Sequence, residues 1–355
     1  MSEVQQVPLI ADVAAAAGVS AMTVSRVMNG KDHVSGPTRA RVLDAAASLG
    51  YRPNLAARTL SSGRSTTVGV VTLEGPVNGP ASTLAGIEQE ARSLGYAVSV
   101  AILSELTPSA VVAAVASFRA LAVAGIILSA PHTDINDSLL PPSAIPMVAV
   151  EGFDGAVPVV AVDQHLGAVL ATEHLTTAGH RDIHHIAGPA DRHESLRREA
   201  GWRSALRAAH LEEAPVLRGD WTPSSGYQLG RQLIDQEVSA ARATAVFVAN
   251  DQMAIGVLRA LAEAEIAVPG RMSVVGFDDI PEAAYLTPSL STVRYDFAQL
   301  GRHALRRLLD DINGVQPGRI TAPTSTLLEP ALVLRESSGP PATPKRRLRV
   351  SSTTT

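Results

Sequence analysis

IADVAAAAGVSAMTVSRVMN, residues 10–29, decides how the chain begins its fold. Apolar residues recur at helical spacing on either side of Gly18, with no strand-like alternation, so two short helices joined at a glycine turn are expected. Ser20 can accept hydrogen bonds from the free N–H groups of the turn that follows, which places the start of the second helix at Ala21. Ala14 and Ala15 let the helices approach closely, and Val19, Val24 and Val27 supply a shared core. A third helix, over about 38–49, follows Ser35-Gly36-Pro37 and stops at Gly50. The second helix presents Ala21, Met22, Ser25 and Arg26 outward. Short side chains at a helix N-terminus fit the major groove of DNA, where an arginine can pair with guanine O6 and N7. The plainer alternative is a small helical domain with an incidental arginine.

The charge distribution favours the first reading. Residues 1–64 carry seven basic and four acidic side chains, net +3, so the remaining chain carries −7 of the total −4. A positive head on a negative body points to a polyanion met by the head alone. The 355 residues contain no cysteine, which excludes disulfides, thiolate metal sites and cysteine nucleophiles and fits a reducing compartment. The first residues lack the basic start and apolar run of a secretory signal, and no stretch reaches the ~18 apolar residues of a membrane span. A cytoplasmic protein without a membrane partner is the expectation.

From Thr67 onward the texture changes. Short β-branched runs at 68–72, 97–103, 125–129, 147–150, 159–162, 183–187, 246–249 and 274–277 alternate with helical segments at 82–94, 108–121, 164–178, 196–209, 225–236, 251–265 and 297–311. This is the pattern of parallel sheets covered on both faces, and the strand number gives two doubly wound halves. Between head and body, YRPNLAARTL at residues 51–60 suits a hinge helix, too short to be stable in water without a partner. The segment 337–355, rich in Pro, Ser, Thr and Arg, is expected to be disordered, without leucine heptads for an oligomerising arm. The expected boundaries are a head with hinge at 1–64 and a body at 65–336. Within the body, one lobe takes 65–163 and 296–323 and the other takes 164–295 and 324–336.

Ligands of open α/β sheets sit beyond the carboxyl ends of the strands. The polar residues there are Ser129, Glu151, Asn250 with Asp251, and Asp278 with Asp279. Carboxylates and amides that make paired hydrogen bonds suit vicinal hydroxyls, hence a sugar. Arg198 would add a donor fork and Trp221 an apolar platform for a pyranose face. A tryptophan covering a loop is the alternative for Trp221, whereas Trp202 lies on the apolar face of a helix and reads as core.

The strings VAAAAGVSAMTVSRVMN (13–29), Val34-Ser35, and Tyr51-x-Pro53-Asn54-x-x-Ala57-Arg58-x-Leu60 resemble the DNA-binding head of LacI/GalR-family repressors. The resemblance continues through the body in EHLTTAGH (173–180), AGP (187–189), REAGW (198–202), GDWTPSSG (219–226), VANDQMAIG (248–256) and SVVGFDD (273–279). It implies an N-terminal all-α helix-turn-helix head with a hinge helix, and a two-lobed α/β body like that of periplasmic binding proteins. By resemblance, Ser20, Thr23, Asn29, His33, Ser35, Thr38 and Asn54 hold phosphates or the groove edge, and Ala21, Met22 and Arg26 read bases, with Ser25 and Tyr51 in the same motif. Leu60 would wedge into the minor groove beside Ala57, which allows close backbone approach. The effector pocket would comprise Arg198, Trp221, Asn250, Asp278 and Phe297, joined by Ser129 and Glu151. Ser129, Glu151 and Tyr295 depart from the residues of the family's lactose-responsive members. The implied function is a homodimeric repressor that binds double-stranded operator DNA and is released by a small sugar of galactoside or β-glucoside type, without a cofactor.

His180, His184 and His185 cluster, but a helix-to-strand boundary caps the first and points the other two to opposite faces, against a metal site. The chain has no G-x-S-x-G, P-loop, G-x-G-x-x-G or H-E-x-x-H string, which weighs against an enzyme. A corepressor response and a sugar-transport binding protein are the other readings of such a cleft. The helical head contradicts the second.

Overall fold

The computed structural model describes residues 8–28, 34–51, 65–73, 78–105, 107–129, 145–152, 157–238, 243–314 and 325–341. Two compact units divide at Thr66 and Thr67.

The head contains α1 (Ile10–Ala17), α2 (Ala21–Met28) and α3 (Gly36–Ser48). Gly18 ends α1 at φ +62°, a left-handed conformation that a Cβ disfavours, and this lets the Val19 N–H reach the Ala14 carbonyl at 3.0 Å. The Ser20 hydroxyl accepts from the Thr23 N–H at 3.2 Å and so caps α2. The chain bends by 103° between α1 and α2, the angle of a helix-turn-helix. Val13, Ala14, Ala17, Val24, Val27, Val42, Ala45 and Ala46 form the core, with Tyr51 packed against it. The third helix begins at Gly36, earlier than expected, because Pro37 fits the first helical turn, whose N–H groups have no partner in the helix.

The body has two six-stranded sheets. The first comprises β1 (Thr67–Leu73), β2 (Ala97–Leu103), β3 (Gly125–Ser129), β4 (Met147–Val150), β5 (Val159–Val162) and β11 (Thr326–Leu328), in the order β11-β5-β4-β3-β1-β2, with every pairing parallel. Helices α4 (Asn78–Ser93) and α10 (Phe297–Gly314) cover one face and α5 (Pro108–Ala120) the other. The second sheet comprises β6 (Ile183–Ala187), β7 (Leu217–Arg218), β8 (Ala245–Val248), β9 (Ser273–Phe277), β10 (Ser291–Arg294) and β12 (Ala331–Val333), in the order β12-β10-β9-β8-β6-β7. Helices α6 (Gln164–Thr177) and α7 (His193–Ala208) cover one face, and α8 (Pro223–Leu233) and α9 (Asp251–Glu263) the other. Central strands such as β3, β6 and β9 are buried along their whole length, which is why they read as unbroken apolar runs rather than alternation.

Three expectations are corrected. β12 pairs antiparallel with β10, so the second sheet is mixed. β11 lies in the first sheet beside β5, not in the second lobe, and the chain crosses between lobes at Glu329 and Pro330. Its three residues are too short and too exposed to carry a periodic signal. The segment expected to be disordered from Ser337 is ordered through Pro341. The Ser337 hydroxyl donates to the Val274 carbonyl and accepts from the Ser291 N–H, and the Gly339 carbonyl accepts from the Ser273 hydroxyl. Composition suggested disorder because these residues satisfy the starts of β9 and β10 through polar groups rather than apolar burial. Residues 342–355 lie outside the described residues.

Two further crossings join the lobes, one at Asp163 between β5 and α6 and one at Tyr295 and Asp296 between β10 and α10. The Asp163 carboxylate caps α6 through the Leu166 N–H at 2.9 Å, and its own N–H bonds the Leu328 carbonyl of β11, tying two crossings together. The Asp296 carboxylate caps α10 through the Gln299 N–H.

Candidate functional site

Parallel strands point their carboxyl ends one way, so each lobe offers one edge of strand ends to the other, and a cleft opens between these edges. Its cavity volume is about 150 Å³, within about 900 Å³ of empty space that includes the open mouth. The first lobe contributes Leu73 at the end of β1, Ser129 at the end of β3 and Glu151 after β4. The second contributes Trp221, Asn250 after β8 and Asp278 after β9. The crossings add Gln164, Tyr295 and Phe297. The seven residues of the effector pocket implied by the resemblance, Ser129, Glu151, Arg198, Trp221, Asn250, Asp278 and Phe297, all line this one cavity, whereas Asp251 and Asp279, also expected there from the strand ends, do not.

Arg198 is the centre of its polar network. The guanidinium is buried on the inner face of α7, where Nε donates to Gln164 Oε1 at 2.8 Å, Nη2 to Asp278 Oδ1 at 3.2 Å and Nη1 to the Ala249 carbonyl. It lies 3.7 Å over the Phe277 ring centroid and 5.7 Å from that of Trp221, so aromatic faces complete its coordination. Burial opposes its charge, but the carboxylates of Asp278, Glu194 and Glu151 hold its pKa above the ordinary value. Burial pushes Asp278 up to about 6 against the pull of Arg198. Asn250 caps α9 through the Met253 N–H at 3.0 Å, while its amide donates to the Trp221 carbonyl at 3.1 Å, which fixes the loop that bears the indole. Gly188 makes room for that ring, since a Cβ there would lie 2.2 Å from it.

Among the described residues, seven that are not glycine have positive φ, and they fall into two groups. Ala122, His210 and Glu265 each follow the last turn of a helix, where a left-handed residue closes the cap. Glu151, Trp221, Asp278 and Asp279 follow strands at the cleft, and the first three line it. Strained backbone held by its surroundings is characteristic of sites whose side chains must point one way.

Glu151 Oε1 accepts from the Val162 N–H at 3.1 Å and from the Gln164 amide at 3.2 Å, and burial pushes its pKa to about 7. Asp251, placed with Asn250 on sequence, does not line the cavity. It is buried behind it, accepting from the Thr292 hydroxyl and the Ile280 N–H, and holds the turn after β9. Asp279 pairs with Arg335 at 2.7 Å. Sequence reasoning missed Gln164, Arg192 and Glu194 and treated Tyr295 only as a departure. The rule that found the others covers Gln164, which follows β5. Arg192 and Glu194 were hidden because Pro189-Ala-Asp separates them from the end of β6.

In the head, Ser20, Ala21, Met22, Arg26 and Ser35 are exposed, and Thr23, Ser25 and Thr38 are partly so. Met22 is 65% exposed although it is large and apolar, because Val24 and Val27 take the buried side of α2. The Ser20 and Thr23 hydroxyls lie 3.0 Å apart, and Ser35 donates to Thr38 at 2.9 Å, so two pairs of hydroxyls flank the exposed face at helix starts. Tyr51 belongs to the head core by its ring. Asn29, His33, Asn54, Ala57 and Leu60, with the expected hinge helix, lie outside the described residues. Trp202 is fully buried. His180 is buried and bonds Thr244, Ser273 and the Gly339 carbonyl, and His185 stacks on Phe247 and Trp202. No group of acids and histidines among the described residues could hold a metal ion. No single described helix is long and apolar enough to cross a membrane.

A two-lobed cleft with polar strand ends and a helix-turn-helix head is also what comparison with known proteins returns. Residues 9–54 match the model for bacterial regulatory proteins of the lacI family, and residues 172–338 match the periplasmic binding protein-like domain. The lactose operon repressor of Escherichia coli is 35% identical over 84% of this chain and 83% of its own length. This chain belongs to the LacI family. The transcriptional regulator CelR of Thermobifida fusca is 37% identical over 93% of this chain and 98% of its own. Among solved structures, a Lac repressor dimer bound to operator and the anti-inducer ONPF superimposes with TM-score 0.84 at 32% identity, covering 94% of this chain and all of that one. A CelR–cellobiose complex superimposes with TM-score 0.69 at 33% identity, covering 93% of this chain and all of that one. The LacI-family fold expected from the sequence is therefore the fold observed.

Proposed function

We propose that this LacI-family protein is a sugar-responsive transcriptional repressor. Its head reads double-stranded operator DNA, and a small sugar of galactoside or β-glucoside type in the body cleft releases it. The observation that carries the reading is the convergence of Arg198, Asn250, Asp278, Glu151 and Trp221 on one cavity at the lobe crossings, in a chain whose head exposes Ala21, Met22 and Arg26 on one helix face. Fixed donors, acceptors and an indole platform around one space match a polyhydroxylated ring.

In this reading Ala21, Met22 and Arg26 contact base edges. Ser20, Thr23, Ser25, Ser35, Thr38 and Tyr51 hold the phosphate backbone, with Asn29, His33 and Asn54 beside them and Ala57 and Leu60 acting from the hinge in the minor groove. The protein acts in the cytoplasm as a homodimer, without a cofactor and without turning over its ligand. The relatives' solved complexes, one with operator and ONPF and one with cellobiose, support DNA and glycosides as the partners. Coupling follows from linkage: a sugar that binds better to one arrangement of the lobes shifts the protein towards it, and the DNA affinity moves with that shift.

The test is fluorescence anisotropy on labelled DNA from upstream of neighbouring sugar genes, titrated with lactose and cellobiose. The reading expects specific binding that one of these sugars weakens. Binding unaffected by any sugar refutes the effector part, and absence of specific DNA binding refutes the repressor part.

A further inference from the structure

When the polar groups of the cleft are paired with one another, two acceptors remain. Oε2 of Glu151 and Oε2 of Glu194 are shut off from solvent without a hydrogen-bond partner among the described residues. Both residues line the same cavity. They come from opposite lobes, Glu151 from the end of β4 and Glu194 from the first turn of α7. The Arg198 guanidinium is engaged by Gln164, the Ala249 carbonyl and Asp278, so it does not serve them. The lining sets the carboxyl groups of Glu151, Glu194 and Asp278 beside the guanidiniums of Arg192 and Arg198. A buried carboxylate oxygen without a donor is costly, and sites that keep one have a donor to receive.

We propose that Glu151 and Glu194 form an acceptor pole, one carboxylate from each lobe, that takes hydroxyl donors from one end of the effector and rejects phosphorylated and uronic sugars. The inference rests on the sugar reading and narrows its ligand class. A neutral saccharide supplies hydroxyl donors to both oxygens, and because these belong to different lobes, a ring that bonds both holds the lobes together. A phosphate or a uronate carboxylate brings further acceptors and a negative charge to a place already crowded with buried carboxyl oxygens that lack donors. Burial raises the pKa of both glutamates although the nearby Arg198 pulls it down, so a hydroxyl donor at either oxygen offsets a cost that the cleft itself leaves in place. The sensed sugar therefore precedes any phosphoryl transfer to it or oxidation of it, and the reactions that consume it lie downstream. Glu194 is a specificity-determining residue in this scheme, paired with Glu151.

Isothermal titration of the full chain with lactose, cellobiose, glucose and galactose, set against glucose 6-phosphate, galactose 6-phosphate and galacturonate, tests the proposal. At least one neutral probe is expected to bind, with its charged counterpart about a hundredfold weaker or undetectable. Glu194→Gln keeps shape but loses the charge-assisted hydrogen bond, and should weaken the neutral probe about tenfold and narrow the gap to the charged one. Thermal unfolding confirms that the variant is folded, and Glu194→Asp provides a second variant that keeps the charge and withdraws it. A charged sugar that binds as tightly as its neutral parent overturns the acceptor pole while leaving the sugar reading intact. So does a folded Glu194→Gln chain with unchanged affinity. Failure of every saccharide to bind removes the sugar reading and this inference together.

Discussion

Replacing Glu151 by glutamine makes a sharp test of the cleft's electrostatics. Burial raises its carboxyl from 4.5 to about 7. The folded chain therefore holds a proton there that the unfolded chain gives up between these values. The stability contributed by this proton is complete below the unfolded pKa and is lost as pH rises through about 7. The change corresponds to about 3 kcal/mol at most, and to roughly 2 kcal/mol when the partly exposed edge of the side chain is discounted. Glutamine is neutral throughout and retains an oxygen for the Val162 N–H and the Gln164 amide. Urea titration of wild type and Glu151→Gln at pH 5, 6, 7 and 8 should give similar stabilities at the acid end. A gap should then widen in favour of the variant to roughly 2 kcal/mol at pH 8. Parallel stability curves across this range would falsify the reading of Glu151 as a desolvated carboxylate in the cleft.

Other perturbations address other parts. Arg198→Ala leaves Asp278 buried without its cation, so the body should lose about 3–5 kcal/mol in urea unfolding, while a leucine or methionine at both positions should recover part of it. Of the two tryptophans in the chain only Trp221 lines the cleft, so a sugar-dependent change in fluorescence is expected from it; Trp221→Phe should abolish it, and a surviving signal would remove the indole from the binding face. Arg26→Ala should cost about 1–3 kcal/mol in operator affinity with sugar binding unaltered, measured by anisotropy and titration on the same preparation. Gly188→Ala should weaken sugar binding without touching DNA affinity, because its Cβ would fall 2.2 Å from the Trp221 ring.

Much of the architecture was legible because the strands that make it are buried on both faces. β3 through β6 coincide with apolar runs that no helix period explains, and the glycine and serine at 18 and 20 mark the turn of the head by their own chemistry. What escaped notice was short or polar: β7 with two residues, β10 with four, β11 and β12 with three each, and the serine-rich segment from Ser337 that hydrogen-bonds the starts of β9 and β10. The site was legible where a polar residue ends a strand or follows it within two residues, as at Ser129, Glu151, Asn250 and Asp278. It was hidden where the chain turns first, as at Glu194. The burial of Asp251 could not be read at all, since its side chain and that of Asn250 leave adjacent backbone positions in different directions, one into the second lobe and one into the cleft.

Dissociation of the full-length chain from its operator, followed while lactose or cellobiose is added, tests the joint claim of a DNA-reading head governed by a sugar-binding cleft. A saturable loss of operator affinity that disappears in Asp278→Asn is the predicted result. Operator affinity that stays constant over the whole sugar range, in a chain shown by titration to have bound the sugar, would contradict it.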